Sequence, residues 1–138
     1  MPGSSVRPFI DTNVLVYLAS GHKAKADRAE EIVKEGGTIS VQVLNEFASV
    51  ARRKLGMTWV DTRDFLSTIR ELLTVVPVTE EIHELGLALA ERYQLSVYDG
   101  MIIAAALDVG CDVVLSEDMQ HDLIVDERLV VRNPFLGI

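Results

Sequence analysis

The sequence predicts an α/β fold, a three-layer sandwich in which helices flank a central, mostly parallel sheet. Short apolar runs alternate with longer segments of helical periodicity along the 138 residues, as expected of parallel strands joined by crossover helices. Glycines and capping residues fall at the joints. The first joint, Ile10-Asp11-Thr12, puts a carboxylate where a strand gives way to a helix, and ligands of parallel α/β sheets bind beyond such strand ends.

Taken in order, the first strand is read over Arg7 to Ile10 and the first helix over Thr12 to Ser20, stopped by Gly21. Lys23 to Glu35 is an amphipathic helix with Ala26, Ala29, Ile32 and Val33 on one face, ended by Gly36-Gly37. Thr38 to Val41 is the second strand, and a helix from Val41 to Leu55 is broken by Gly56. Thr58 and Asp61 have the spacing of a capping box, with Asp in place of the usual Glu, at the head of a helix reaching Leu73. Thr74 to Val78 is the third strand, with Pro77 near its end, where a missing donor is tolerated.

Thr79 caps a helix that turns Ile82, Leu85, Leu89 and Tyr93 to one side and Glu80, Glu81, Glu84 and Glu91 to solvent. Ser96 and Asp99 repeat the capping-box spacing. Asp99 to Val109 is then apolar apart from Asp108, the mark of a helix buried nearly all round. Asp112 to Leu115 and Arg128 to Arg132 are the last strands, with a polar turn between Ser116 and His121.

Length makes residues 1–138 a single domain, large enough to bury a full core without staples. The lone Cys111 excludes an intrachain disulfide, reads as core filler and fits a reducing compartment. Met1 to Arg7 is polar and does not read as a signal peptide, and no stretch approaches the roughly 18 apolar residues of a membrane span. The expectation is a cytoplasmic protein away from membranes. A formal charge of −8, from 21 acids against 13 bases, argues against a nucleic-acid coat protein, whose affinity comes from neutralising phosphates. It leaves room for an enzyme that meets phosphates through bound cations, and for a basic protein partner.

Four acids stand where surface charge is not required. Asp11 ends the first strand, Asp118 lies just beyond the strand Asp112 to Leu115, and Glu46 and Asp99 sit on helices among apolar neighbours. Gaps of 35, 53 and 19 residues separate them, so only the fold could bring them together. Each also has a plainer reading: Asp11 and Asp99 as helix caps, Glu46 as a partly exposed helix position. Capping and ligation are compatible, because a capping carboxylate keeps a second oxygen. Clustered carboxylates raise one another's pKa; hard divalent cations relieve that, and an all-oxygen set suits Mg²⁺ or Mn²⁺. Such ions can hold a phosphodiester and activate water without a side-chain nucleophile.

Phe9-Ile10-Asp11-Thr12-Asn13, Leu44-Asn45-Glu46-Phe47, Tyr98-Asp99-Gly100-Met101-Ile102 and Leu115-Ser116-Glu117-Asp118-Met119 resemble the acidic signatures of PIN-domain ribonucleases, most closely the toxins of VapBC-type toxin–antitoxin pairs. The resemblance spans essentially the whole chain. It implies a PIN-like three-layer sandwich and a Mg²⁺- or Mn²⁺-dependent hydrolase acting on RNA. By the same resemblance Asp11, Glu46, Asp99 and Asp118 are metal ligands, and Asn13 and Ser116 orient the carboxylates or the attacking water. A homodimer held inactive by a cognate antitoxin is the implied assembly. Glu117, Asp118 and Asp122 share one loop; Asp118 matches the signature best.

For positive surface, Arg53 lies seven residues after Glu46, close to the same helical face, flanked by Arg52 and Lys54. It reads as a phosphate contact or as favourable charge at a helix C-terminus. Lys23, Lys25 and Arg28 form a second basic cluster. His22, His83 and His121 lack ligand spacing and read as surface or loop histidines, and Trp59 and Phe65 as core rather than partner surface. Two non-enzymatic readings compete. A receiver-like signalling domain shares the acid at a strand end but wants a lysine beyond the last strand, and Leu129 to Ile138 has none. An inactive PIN-like binding module would not need all four acids.

Overall fold

The computed structural model describes residues 8–138. The polar stretch Met1 to Arg7, including the expected start of the first strand, lies outside the described residues. Twelve elements follow one another: β1 (Phe9–Ile10), α1 (Thr12–Leu18), α2 (Lys23–Glu35), β2 (Thr38–Ser40), α3 (Val41–Arg53), α4 (Trp59–Leu72), β3 (Thr74–Val76), α5 (Glu80–Tyr93), α6 (Val97–Asp108), β4 (Val113–Leu115), β5 (Ile124–Val125) and β6 (Leu129–Arg132).

The strands form one sheet in the order β3-β2-β1-β4-β6-β5, parallel except for β5 against β6. The chain builds outward from β1 through β2 to β3, then returns to the other side of β1 to lay down β4 and β6. The order therefore reverses between β1 and β4, where Ile10 pairs with Leu115. Crevices for ligands open at such reversal points.

The core follows from the sequence pattern. Phe9, Ile10, Ile39, Val114 and Val131 are wholly buried, as befits parallel strands covered on both faces. Gly100 to Leu107 of α6 are buried without a break, and α6 packs closely on α5 because Gly86 and Gly100 face each other's helices. Ala29, Ile32 and Val33 form the inward face of α2. The glutamates Glu80, Glu81, Glu84 and Glu91 of α5 are all exposed.

Capping fixes the helix starts. Thr58, Thr79 and Ser96 each accept a hydrogen bond from the backbone N–H three residues on. The His22 imidazole does the same for α2; His83 is exposed, and His121 accepts from the Asn133 N–H at 2.9 Å.

Three features depart from the sequence reading, the first being that β3 ends at Val76, short of Pro77 and Val78. Strand β5 was not expected; it reaches β6 through a turn whose central residues, Asp126 and Glu127, both have positive φ, closed by the Arg128 N–H on the Val125 carbonyl. Trp59, expected in the core, is 57% exposed. The apolar stripe of α4 through Thr62, Phe65 and Ile69 outlasts the core by one turn, and the Arg52 guanidinium covers the Trp59 ring at 4.5 Å instead. Phe65 does pack inward, stacked on Phe47 at 4.4 Å.

Candidate active site

Asp11 is both cap and cavity residue. Following β1, it is only 5% exposed. Its Oδ1 accepts the Thr12 N–H at 2.7 Å and caps α1, while Oδ2 accepts the Ser116 hydroxyl at 2.8 Å and the Asn13 amide at 3.1 Å. Three donors hold the carboxylate toward the reversal point between β1 and β4.

Ser116 follows β4 and is completely buried. Besides donating to Asp11, its oxygen accepts from the backbone N–H groups of Asp118 and Met119. It thus closes the turn that carries Asp118 and joins that turn to β1. Asn13 completes the link: its amide nitrogen lies 3.3 Å from Asp118 Oδ2, and its carbonyl oxygen accepts the Glu117 N–H at 3.1 Å.

Asp11, Asn13, Glu46, Asp99 and Asp118 line one cavity of about 400 Å³, with Ser116 beneath it. The fold therefore brings together all six residues singled out in the sequence. Glu46, on the inward-leaning face of α3, accepts the Thr12 hydroxyl at 2.7 Å. Asp99 uses its backbone N–H for the Ser96 cap, leaving its carboxylate on the cavity wall. Burial, opposed by the hydrogen bonds from Ser116 and Thr12 and reinforced by the charges of Asp99 and Glu46, pushes the Asp11 carboxyl up to about 7. Partial burial and the charges of Asp118 and Glu46 also raise Asp99, against the pull of Ser96.

The three acids of the β4–β5 loop are distinguished by their partners. Asp122 pairs with Arg132 and His121, outside the cavity lining. Glu117 lines the cavity, but its carboxylate is bound by Lys25 at 2.6 Å and by the Tyr17 hydroxyl. Burial opposes its ionisation, yet these two partners hold it below the ordinary carboxylate range. Asp118 has no cationic partner among the described residues; its carboxylate accepts from the Asn13 amide, and its backbone N–H donates to Ser116.

The second basic cluster is spent internally: Lys25 on Glu117, Lys23 on Asp27, Arg28 on Glu31 and the Pro134 carbonyl. Lys54, rather than Arg53, lines the acidic cavity; Arg53 faces an adjoining groove. Sequence reasoning missed Thr12, Tyr17 and Lys54 as cavity residues. Helical spacing held the signal for two of them, since Tyr17 is four residues after Asn13, and Lys54 eight after Glu46 with Val50 between.

The donor set, the carboxylate oxygens of Asp11, Glu46, Asp99 and Asp118, fits a hard divalent cation. Among the described residues, no three His, Cys, Asp or Glu side chains are arranged to grip one ion as they stand. The acids are held by neighbouring donors, Asp11 by Ser116 and Glu46 by Thr12.

A mostly parallel α/β sheet with an acidic crevice at its reversal point is the class of architecture to which the chain belongs. Within that class, residues 9–125 match the PIN domain family, and the chain belongs to it. No curated protein matches the sequence. Among solved structures, the chain resembles a toxin–antitoxin complex from Klebsiella pneumoniae with a TM-score of 0.70 and 18% identity, over 93% of this chain and 98% of the other. The sarcin–ricin loop-cleaving toxin VapC20 of Mycobacterium tuberculosis matches with a TM-score of 0.66 and 20% identity, over 80% and 90%. VapBC2 of Rickettsia felis, bound to DNA from its promoter, matches at 0.64 and 18%, over 91% and 96%. These likenesses establish the shared fold and replace the receiver-like alternative. Among the described residues no helix is long and apolar enough to cross a membrane.

Proposed function

We propose that this protein is a Mg²⁺- or Mn²⁺-dependent ribonuclease of VapC type, acting as one PIN unit and restrained by a cognate antitoxin. The observation that carries the reading is the buried Asp11 carboxylate, facing Glu46, Asp99 and Asp118 across one cavity. A carboxylate held nearly out of water among other acids is costly unless a cation offsets it. The resemblance to toxin–antitoxin complexes supports the antitoxin partner, and a homodimer in the cytoplasm is the assembly and place that suit it.

A divalent ion held there would offset the clustered negative charge and would supply Lewis acidity toward a phosphodiester and a water. Asp11, Glu46, Asp99 and Asp118 would hold it. Ser116 and Asn13 keep Asp11 and Asp118 in register. The Thr12 hydroxyl steadies Glu46. Lys25 neutralises Glu117 and so removes one surplus charge from the site. Lys54, at the cavity wall, offers positive charge to an incoming phosphate.

The test is cleavage of single-stranded RNA by purified protein with Mg²⁺ or Mn²⁺ and with chelator. Cleavage should require the ion, and Asp11→Asn and Asp99→Asn should each abolish it while circular dichroism shows the fold intact. Normal cleavage by both variants would mean the site is wrong. Metal-loaded wild type without cleavage, on RNA pools from several sources, would favour the inactive binding module.

A further inference from the structure

Of the acids lining the cavity, one is held differently from the rest. Asp11, Glu46, Asp99 and Asp118 enter no ion pair among the described residues. Asp11, Glu46 and Asp118 accept from uncharged groups: the hydroxyls of Ser116 and Thr12, the Thr12 N–H and the Asn13 amide. Glu117 instead gives one carboxylate oxygen to α1 and the other to α2. Its Oε1 accepts the Tyr17 hydroxyl, and its Oε2 accepts the Lys25 ammonium at 2.6 Å. Its backbone N–H donates to Asn13 at 3.1 Å. The peptide is thus fixed, and the side chain's partners decide where the charge rests.

Lys25 is fixed in its turn. Its Nζ donates to the Tyr17 hydroxyl at 3.1 Å and lies 4.8 Å from the centroid of the Tyr17 ring and 5.8 Å from that of Phe135. Phe135 is buried and meets the Tyr17 ring edge-on at 4.8 Å. The lysine side chain is only 18% exposed. An exposed ion pair gains little, because ordering two long side chains offsets the attraction. Here the rings and the hydroxyl already order the lysine, and the ring faces favour its charge.

We infer that Lys25 and Tyr17 are positioning residues that set which ion the cavity prefers: by holding Glu117 back they keep a further carboxylate off the cation, and so tilt the site toward Mg²⁺ and away from Ca²⁺. The inference rests on the cation reading of the cavity and adds what discriminates between ions. Ca²⁺ takes about six to eight oxygens in adaptable geometry, whereas Mg²⁺ demands near-ideal octahedral geometry and keeps several waters. A site with fewer carboxylates and room for water favours the smaller ion. One more carboxylate, free to swing in, favours the larger. Glu117 already lines the cavity beside Asp118, so losing its two partners frees that carboxylate within the same space. Removing Lys25 also makes the cavity more negative, but charge by itself strengthens both divalent ions alike. The ratio of the two affinities therefore isolates the number of ligands.

The experiment measures Mg²⁺ and Ca²⁺ binding to the full-length protein by calorimetric titration, with no RNA present. Wild type should bind Mg²⁺ at least as tightly as Ca²⁺. Lys25→Met, which keeps an apolar stem against the rings, should shift the ratio of affinities about tenfold toward Ca²⁺, the low end of what losing a ligand's orienting partner does. Tyr17→Phe, which keeps the ring on Phe135, should shift it the same way by less. Glu117→Gln alone, and Lys25→Met with Glu117→Gln, should both keep the wild-type ratio. A ratio unmoved by Lys25→Met and by Tyr17→Phe overturns the inference and leaves the cation site standing. So does a shift that persists in the double variant, since Glu117 is then not its cause. A ratio that falls in Glu117→Gln alone would make Glu117 a ligand in the wild type, which contradicts the inference as well. Folded wild type that binds neither ion would remove the cation reading, and this inference with it.

Discussion

Ser116 Oγ stands 2.8 Å from Asp11 Oδ2, joining two side chains 105 residues apart at the ends of adjacent strands. The same oxygen accepts from the backbone of Asp118 and Met119. One hydroxyl therefore lowers the pKa of a buried carboxylate and shapes the loop carrying its neighbour. Ser116→Ala should cut the rate of RNA cleavage by about 10- to 100-fold, the usual cost of losing a partner that orients a ligand. The acidic limb of the kcat/KM profile should move to higher pH, because a bond that favoured ionised Asp11 is gone. A rate loss with no movement of that limb would make Ser116 a packing residue only.

Asp11 also sets the pH dependence of stability. Its carboxyl binds a proton more tightly in the folded chain, near 7, than in the unfolded one, near 4. In chelator its contribution is therefore full below about pH 4 and is lost as pH rises through about 7. Asp99, also raised, acts in the same sense. Glu117, held low, acts oppositely but only below its ordinary value of 4.5. Wild type in chelator should melt at a higher temperature at pH 5 than at pH 8. Asp11→Asn should flatten this dependence and melt above wild type at pH 8. Melting curves that rise with pH would refute a desolvated, acid-crowded Asp11.

The α5–α6 contact offers a test of how Asp99 is placed. A Cβ at Gly100 would run into the Gly86 carbonyl oxygen and meet the Ala90 Cβ at 3.0 Å. Backbone cannot step aside cheaply, so Gly100→Ala should lose about 1–3 kcal/mol by overpacking, partly offset by alanine's better helix propensity. Gly86→Ala mainly meets the flexible Met101 thioether and should cost less. Urea unfolding of the two variants checks the order.

The β5–β6 turn should respond to the reverse change. Glu127 has φ of 60°, a region that L-residues enter at a cost of roughly 1–2 kcal/mol and glycine enters freely. Glu127→Gly should raise stability by about 1 kcal/mol less the added entropy of the unfolded chain, visible as a small rise in melting temperature. Asp126, though also at positive φ, is tied to Arg92 and Tyr93, and its replacement by glycine should gain nothing.

That turn shows where legibility ended. Short hairpin loops announce themselves by Asn-Gly, Asp-Gly or a glycine in a three-residue loop; Asp126-Glu127-Arg128 has no glycine, and a strand of two residues has no periodicity to read. Elsewhere alternation and capping were sufficient: Thr79 and Ser96 begin α5 and α6 as their spacing requires. Trp59 was misplaced because hydrophobicity records what a side chain prefers, not whether core remains beside it. Spacing alone could not show that Asp11, Glu46, Asp99 and Asp118 converge; for Asp11 and Asp118 that follows from the strand order, which puts the ends of β1 and β4 side by side, and for Glu46 and Asp99 from α3 packing on α1 and being tied to α6 through Gln42 and Tyr98. Lys25 illustrates the same limit. It read as part of a basic patch, and only the fold reveals that it is consumed by Glu117.

The most direct test is calorimetric titration of wild type with Mn²⁺ at pH 6.5, repeated in two buffers of different ionisation heat. With its pKa near 7, Asp11 is largely protonated there, so ion uptake should expel a proton, roughly one per site at most. Asp11→Asn should bind more weakly and release less. Binding without proton release by wild type, or equal release by both proteins, would contradict a cation site built on Asp11.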